Sequence, residues 1–156
     1  SQEGEGTTFS LYFPVTGEEL AALQEKMPIE QYMGRGESVL VVDDIPEQRE
    51  IAANLLTKLG YEVRQAASGR DAVEYLKTNE ADILVLDMIM PPGLDGLDTY
   101  KKILESRPKQ KAIIVSGFSA NERVKEAQRL GVAAYIKKPY VLENIGVAIR
   151  HELDKE

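Results

Sequence analysis

From residue 38 onward, short apolar runs alternate with segments that carry apolar residues at helical spacing. The predicted strands occupy residues 39–42, 62–66, 83–86, 112–115 and 133–136. Most of these are continuous apolar runs, which are typical of strands buried on both faces. The predicted helices begin near Pro46, Ser68, Gly96, Ser119 and Leu142. This alternation predicts an α/β domain with a doubly wound, five-stranded parallel sheet.

The first 36 residues follow a different pattern. Residues 9–13 alternate apolar and polar side chains, which predicts one strand. Thr16 followed by Glu19 has the pattern of a capping box and predicts a short helix over residues 18–26. Because one strand and one short helix cannot bury a core of their own, we interpret this segment as a linker or as the remnant of something larger.

Polar side chains stand at the ends of four predicted strands. Asp43 and Asp44 follow the first strand, Asp87 the third, Ser116 the fourth and Lys137 the fifth. The carboxyl ends of parallel strands meet at one edge of the sheet, where ligands of such folds bind. Any one of these residues alone would be interpreted as a helix cap, a turn residue or a solvated side chain. Their joint occurrence indicates a site.

Three carboxylates at one edge repel each other unless a cation is present. The three aspartates contribute -3, Lys137 contributes +1 and a divalent ion would contribute +2, which sums to zero. All the ligands are oxygen atoms, which favours Mg²⁺ and also permits Mn²⁺. A carboxylate beside such an ion can attack a phosphoryl group and form an aspartyl phosphate. The cation, an ammonium group and a hydroxyl would then hold the phosphoryl oxygens.

Four motifs carry a family resemblance. They are Val41-Val42-Asp43-Asp44, Leu86-Asp87-Met88-Ile89-Met90-Pro91 with Asp95-Gly96, Val115-Ser116-Gly117 and Lys137-Lys138-Pro139. Over about residues 37–156 the chain resembles the receiver domain of response regulators in two-component systems. The resemblance implies a flavodoxin-like (βα)5 fold with strand order 2-1-3-4-5.

The resemblance also implies a role for each site residue. Asp87 would accept the phosphoryl group from a phosphohistidine on a histidine kinase or phosphotransfer domain. Asp43 and Asp44 would hold Mg²⁺ together with Asp87, with Asp44 the more direct ligand. The backbone carbonyl of Ile89 would complete the ion's protein ligands, and Lys137 would contact the phosphoryl group.

Ser116 and Tyr135 match the switch pair of this family, in which the hydroxyl moves to a phosphoryl oxygen and the aromatic ring turns inward. This change would alter the face formed by the fourth helix, the fifth strand and the fifth helix, which is one candidate surface for a homodimer. The Lys138-Pro139 peptide bond is expected to be cis.

Two positions suggest how long the phosphoryl group would persist. Ile89 and Phe118 stand two residues beyond Asp87 and Ser116, where the family often has polar groups that orient a hydrolytic water. Apolar side chains there predict a long-lived phosphoryl state. The loop that contains Pro91-Pro92-Gly93 is one residue longer than the commonest family pattern, so its path is not predicted.

The N-terminal segment carries a second resemblance. Residues 4–14, Gly-Glu-Gly-Thr-Thr-Phe-Ser-Leu-Tyr-Phe-Pro, resemble the end of the ATP-binding domain of sensor histidine kinases. The implied organisation is a kinase remnant over residues 1–16, a linker with a short helix over 17–36 and a receiver over 37–156, as in a fragment of a hybrid histidine kinase. An unpaired strand in the remnant could also pair with a second copy of the chain.

Composition excludes several other functions. The formal net charge of -7 argues against nucleic acid as a partner. The chain has no cysteine, no apolar run near the roughly 18 residues that span a bilayer and no signal pattern, so we expect a cytoplasmic location without direct membrane contact. A membrane tether on a parent kinase is compatible with this. The single histidine, His151, is expected to be solvated rather than a phosphodonor.

Three alternatives remain at this point. A free-standing response regulator would carry the same motifs. An aspartyl-nucleophile phosphatase would have a second Asp two residues after the nucleophile, where Ile89 stands. A flavodoxin-like cofactor carrier would need a phosphate-binding loop after the first strand, where Asp43 and Asp44 would repel phosphate. The enzyme class stays open. In the interpretation as a fragment, the chain has no complete kinase domain and would catalyse only its own phosphorylation and dephosphorylation. The parent protein would be a protein-histidine kinase, which is a transferase.

Overall fold

The computed structural model of the chain describes residues 7, 9–12, 27–117 and 122–155. The strands are β1 (Ser38–Val42), β2 (Glu62–Ala66), β3 (Ile83–Asp87), β4 (Lys111–Ser116) and β5 (Ala134–Lys137). The helices are α1 (Pro46–Lys58), α2 (Gly69–Thr78), α3 (Gly96–Ser106), α4 (Glu122–Arg129) and α5 (Leu142–Leu153). All strand pairs are parallel, in the order β2-β1-β3-β4-β5. The predicted fold class and strand order are confirmed.

The core consists of two apolar layers, one on each face of the sheet. Alternate residues of the three central strands face opposite layers, because side chains alternate along a strand. Leu40, Leu84 and Ile114 pack with α2, α3 and α4, whereas their neighbours Val39, Val85 and Ile113 pack with α1 and α5. Burial on both faces explains why β1, β3 and β4 are continuous apolar runs. The edge strand β2 is largely exposed and accordingly carries polar residues.

Two helices, α2 and α3, begin at residues whose side chains cap them. The Ser68 hydroxyl accepts a hydrogen bond from the backbone N–H of Asp71, and the Asp95 carboxylate accepts one from Asp98. The predicted capping box on Ser119 lies outside the described residues, and α4 is described from Glu122 onward.

The strand predicted in the N-terminal segment is absent from the residues that the structure describes there. Phe9–Tyr12 form no strand, and their large side chains are exposed, so the predicted strand is wrong for these four residues. A lone strand has no neighbour to supply its hydrogen bonds, which is the physical reason. The predicted helix over residues 18–26 lies outside the described residues. Within the predicted linker, a 3-10 helix spans Ile29–Gln31 and Tyr32 is buried.

No helix in the described ranges has the length and apolarity that crossing a membrane would require.

Close approach of α3 to the end of β3 depends on Gly96. A Cβ atom at this position would press into the backbone oxygen of Asp87 and would lie 3.0 Å from the Cα atom of Met88. Since the obstacle is backbone rather than a flexible side chain, Gly96→Ala should lower the free energy of unfolding by about 2 kcal/mol. Urea denaturation would measure the change.

Gly117→Ala is the matched control, because a Cβ there meets nothing within 4 Å. It should change stability by less than about 1 kcal/mol. Equal effects of the two substitutions would contradict the close approach.

Candidate functional site

Three carboxylates converge at the carboxyl edge of the sheet. β1 and β3 are neighbours, so the side chains that follow their ends meet. Asp43, Asp44 and Asp87 each offer an oxygen atom, and these atoms all lie within 4.8 Å of one another. Asp43 and Asp87 are only 1% and 5% exposed. The structure thus brings together the three aspartates named from the sequence.

The amine at this cluster belongs to Lys138. Its Nζ atom lies 2.6 Å from Oδ2 of Asp43 and 3.1 Å from Oδ1 of Asp87. The sequence-based choice of Lys137 is wrong on this point, since Lys137 is exposed. The reason is geometric: Lys137 is the last residue of β5 and still follows the alternation of the strand, whereas Lys138 is the first residue beyond it, as Asp43 is beyond β1.

The peptide bond that follows Lys138 is cis, which is the isomer the resemblance implies. The backbone N–H of Lys138 also donates to the carbonyl oxygen of Ser116 at 2.8 Å, which fixes the end of β5 against the end of β4. A second cis bond, Pro91-Pro92, lies in the longer loop between β3 and α3, whose path the sequence did not predict.

A cleft of about 410 Å³ opens beside the cluster. Ser116 is buried at the end of β4 and lines this cleft with Asp87, Lys138 and Ile89. The Ile89 side chain is 44% exposed at the rim. Tyr135 is half-buried and packs against the core layer on the α4 side of the sheet. Phe118, the other predicted hydrolysis-tuning residue, lies outside the described residues.

Electrostatics at the cluster disfavour three bare negative charges. Burial raises the pKa of Asp87, the Lys138 ammonium group lowers it in part, and the charges of Asp43 and Asp44 raise it further. The Oδ1 atom of Asp44 is buried and has no hydrogen-bond partner among the residues that the structure describes. An unpartnered carboxylate oxygen beside two more carboxylates fits a hard divalent cation, which would supply the missing contact and offset the repulsion.

Sequence reasoning missed two residues next to the cluster. The Arg49 guanidinium, in the first turn of α1, donates to the backbone oxygen of Asp43 at 2.6 Å. Tyr140 is buried, and burial together with the charges of Asp43 and Asp87 raises its pKa to about 12. The spacing of α1 places Arg49 on the helix but does not reveal that its side chain turns back. For Tyr140, the only indication in the sequence is that an aromatic residue directly follows Pro139.

Helix α4 is attached to α3 by exposed ion pairs. Arg123 lies 2.6 Å from Oδ2 of Asp95 and 3.1 Å from Oδ2 of Asp98, and Lys101 lies 2.6 Å from Oε1 of Glu126. Since Asp95 also caps α3, the start of α4 is connected to the segment that follows Asp87.

Comparison with known proteins agrees with this geometry. The family model of the response regulator receiver domain matches residues 39–150. The chain belongs to the response regulator receiver family. The receiver domain is 38% identical over 106 residues to the chemotaxis protein CheY of Thermotoga maritima, which covers 67% of this chain and 88% of that protein.

Two further relatives define how much of the chain is shared. The sensor kinase CckA of Brucella abortus is 28% identical over 165 residues and aligns with 100% of this chain, which spans only 17% of the kinase. The crystal structure of a CheY-like receiver domain protein from Methanospirillum hungatei JF-1 superposes with a TM-score of 0.71 at 26% identity, and covers 76% of this chain and 94% of that one.

These relationships place the receiver domain in two-component phosphorelay signalling. Receivers of this family act with histidine kinase or phosphotransfer partners. The acidic cluster is compatible with a divalent metal. His151, which the sequence predicts to be solvated, is exposed on α5.

Crowding of the carboxylates leads to a stability prediction. In metal-free buffer, Asp87→Asn should raise the free energy of unfolding by about 1 kcal/mol or more, because it removes one of three repelling charges without changing the shape of the side chain. Added Mg²⁺ should stabilise the parent protein and narrow this difference. Urea denaturation with EDTA and with Mg²⁺ would measure both effects.

The control is Glu80→Gln, which removes an exposed carboxylate that precedes β3, at the edge of the sheet opposite the cluster. It should change neither the free energy of unfolding nor its response to Mg²⁺. Two results would together contradict the crowded cluster. They are a free energy of unfolding of the parent protein that Mg²⁺ does not change, and a lower free energy of unfolding for Asp87→Asn than for the parent.

Proposed function

We propose that Asp87 is the residue of this receiver domain that accepts the phosphoryl group, with Mg²⁺, or Mn²⁺ in its place, held by Asp43, Asp44 and Asp87 and by the backbone carbonyl of Ile89. The observation that carries the proposal is the contact of Lys138 with Asp87 beside the unpartnered oxygen of Asp44, at a cleft open to solvent. A carboxylate so placed can meet an incoming phosphoryl group.

In the proposed step, a carboxylate oxygen of Asp87 attacks the phosphorus of a phosphohistidine on a partner. A P–O bond forms, the P–N bond breaks, and its electron pair returns to the imidazole, which takes up a proton from solvent. A divalent cation held by Asp43, Asp44 and Asp87 would neutralise charge on the phosphoryl oxygens. The Nζ atom of Lys138 lies 3.1 Å from Oδ1 of Asp87, so its ammonium group would need only a small movement to contact a phosphoryl oxygen.

Ser116 and Tyr135 form the proposed switch. Ser116 lines the cleft at the end of β4, and its hydroxyl would donate to a phosphoryl oxygen. Tyr135, half-buried on the α4 side, would then turn inward and change the face of α4, β5 and α5. We propose this face and the N-terminal segment as the two candidate surfaces for a homodimer.

The core test is incubation with Mg²⁺ and acetyl phosphate, followed by intact mass measurement. The parent protein should gain one phosphoryl group, and Asp87→Asn should gain none. The two adjacent lysines provide a matched pair: Lys138→Ala should slow phosphorylation at least about tenfold, because it removes a charged contact to the developing phosphoryl charge, while Lys137→Ala should leave the rate unchanged.

A phosphoryl group on Asp87→Asn, or equal rates for the two lysine variants, would refute these assignments.

We propose further that apolar residues at positions 89 and 118 slow hydrolysis of the phosphoryl group. Ile89 lines the cleft next to Asp87 and offers no group that could orient a water molecule. Ile89→Asn should therefore shorten the lifetime of the aspartyl phosphate severalfold, as measured by the decay of the phosphorylated mass after removal of the donor.

Ile51→Asn is the control, since Ile51 is also exposed but lies on α1 outside the cleft. A lifetime of seconds in the parent, unchanged by Ile89→Asn and by Phe118→Glu, would overturn the proposal.

We propose, last, that the chain is part of a hybrid histidine kinase that acts at the cytoplasmic side of the cell. Support comes from the alignment with CckA, which extends over the N-terminal residues as well as the receiver, and from the resemblance of residues 4–14 to a kinase ATP-binding domain. The alternative is a free-standing response regulator. Immunoblotting of the native protein separates the two: a product much longer than 156 residues supports the hybrid, and one of this length rejects it.

A further inference from the structure

The segment over residues 27–37, which we call the strap, runs along α5 in the same direction as the helix, from Glu143 at its start to Arg150 near its end. Helix α5 follows β5, so its first turn lies at the carboxyl edge of the sheet, where Asp87 is, and its last turn lies at the opposite, amino edge. Between Glu143 and Asp154 the helix rises by about 16 Å. The strap contacts both ends of this stretch.

At the amino edge the strap is held by ion pairs and backbone hydrogen bonds. Arg150 of α5 pairs with Glu37 at 2.5 Å, and Arg35 lies 3.9 Å from Asp154. The side chain of Arg150 is only 8% exposed, so its pair with Glu37 is poorly screened by solvent. The carbonyl of Glu37 also accepts a hydrogen bond from the N–H of Glu62 on β2.

In its middle the strap inserts an aromatic ring between α5 and α1. Tyr32 is 6% exposed and belongs to the same apolar layer as Ile145 and Leu59. Its ring lies directly over Gly146: a Cβ at Gly146 would be 2.5 Å from Cδ2 of Tyr32 and 2.8 Å from Cδ1 of Leu59. The lack of a side chain at Gly146 therefore creates the socket for the ring.

Next to this ring the backbone of the strap is tied to the turn between α1 and β2. The N–H of Gly34 donates to the carbonyl of Leu59 at 2.7 Å, and the Tyr61 hydroxyl donates to the carbonyl of Tyr32 at 3.3 Å. The strap is therefore packed into the receiver and does not behave as a free tether.

The start of the strap lies at the carboxyl edge. The N–H of Met27 donates to Oε1 of Glu143, in the first turn of α5, at 3.2 Å. Met27 also lines a groove that extends along β5 and α5, from Lys137 and Glu143 to Ala134 and His151. The hydrogen bond to Glu143 thus places Met27 beside the first turn of α5, at the carboxyl edge.

From these contacts we infer that the strap is a positioning device: it carries the chain from the amino edge, where β1 begins, back along α5 to the edge that contains Asp87. Without it, any segment N-terminal to β1 would leave the domain on the side opposite the site. With it, the chain enters the described receiver at Met27, beside the edge that contains Asp87. The strap also covers the face of α5 around Gly146, which closes that face to other partners.

For phosphoryl transfer this arrangement has a direct consequence. A module attached before residue 27 would have a raised effective concentration at Asp87 without any additional contact. This functional reading rests on the proposed role of Asp87, whereas the geometry of the strap does not.

The test uses pairs of engineered cysteines, since the natural chain has none. Nitroxide labels on Met27→Cys and Asn144→Cys, both exposed beside the same groove, should give a short and narrow distance distribution in pulsed electron paramagnetic resonance. Labels on Met27→Cys and Lys109→Cys, at the amino edge, should be farther apart by roughly the 16 Å height of the helix.

Two substitutions then release the strap from opposite sides. Tyr32→Ala removes the ring, and Gly146→Ala fills its socket from α5; each should broaden the 27–144 distribution. Tyr32→Phe keeps the ring and should leave the distribution narrow. Circular dichroism checks that each variant is folded. If Tyr32→Ala is unfolded, Gly146→Ala alone tests the release of the strap.

A 27–144 distribution that is already broad in the parent, or that stays narrow in both releasing variants, would overturn the inference. The experiment needs neither metal nor phosphoryl donor, and phosphorylation by acetyl phosphate should be equal in Tyr32→Ala and the parent. Failure of the strap and failure of the Asp87 assignment are therefore distinguishable.

Discussion

Repulsion among three carboxylates, held together against their own electrostatics, is the constraint on which the rest of the molecule depends. Asp43 and Asp87 are almost fully buried, and their separation is fixed by the pairing of β1 with β3. A lysine offsets part of the charge, but one cation cannot balance three anions. The two apolar layers hold the strands in register, and this packing energy keeps the carboxylates together. The result is a site that is poised to gain from binding a cation and from neutralising Asp87.

Stability and chemistry therefore conflict at the carboxyl edge of the sheet. The opposite edge carries conventional stabilising contacts, such as the Lys111 ammonium, which donates to the carbonyls of Glu152 and Leu153 at the end of α5. Separation of the two roles lets the site keep its unpartnered groups without loosening the domain.

Most of the fold could be predicted from the sequence because the central strands are buried on both faces. Continuous apolar runs such as residues 83–86 have few alternative structures, and the polar residue after each run then marks the edge of the sheet. The same logic located Asp43 and Asp87. It failed by one residue at Lys137, because a pattern cannot tell the last residue of a strand from the first residue beyond it.

Residues that act through tertiary contacts left no comparable signal. The Arg49 side chain turns back to a backbone oxygen, and the Tyr32 ring fits a socket that exists only because residue 146 of a distant helix is glycine. Neither feature produces a periodic pattern in the sequence. The Arg49 contact depends on a side-chain rotamer, and the Tyr32 contact joins residues that are more than a hundred positions apart. The N-terminal segment shows the converse case, in which a pattern is present but the structure is not. Alternation of apolar and polar residues without a sheet neighbour does not produce a strand.

The attachment of α4 has a consequence of its own. This helix buries only Val124 and Ala127 among its described side chains and is otherwise joined to α3 by Arg123 and Lys101 at the surface. Such pairs weaken as dissolved salt screens them, whereas the aromatic contact that secures α5 does not. The two flanks of β5 therefore differ in kind: the α4 side depends on ion pairs that dissolved salt weakens, whereas the α5 side depends on an apolar contact that salt leaves in place.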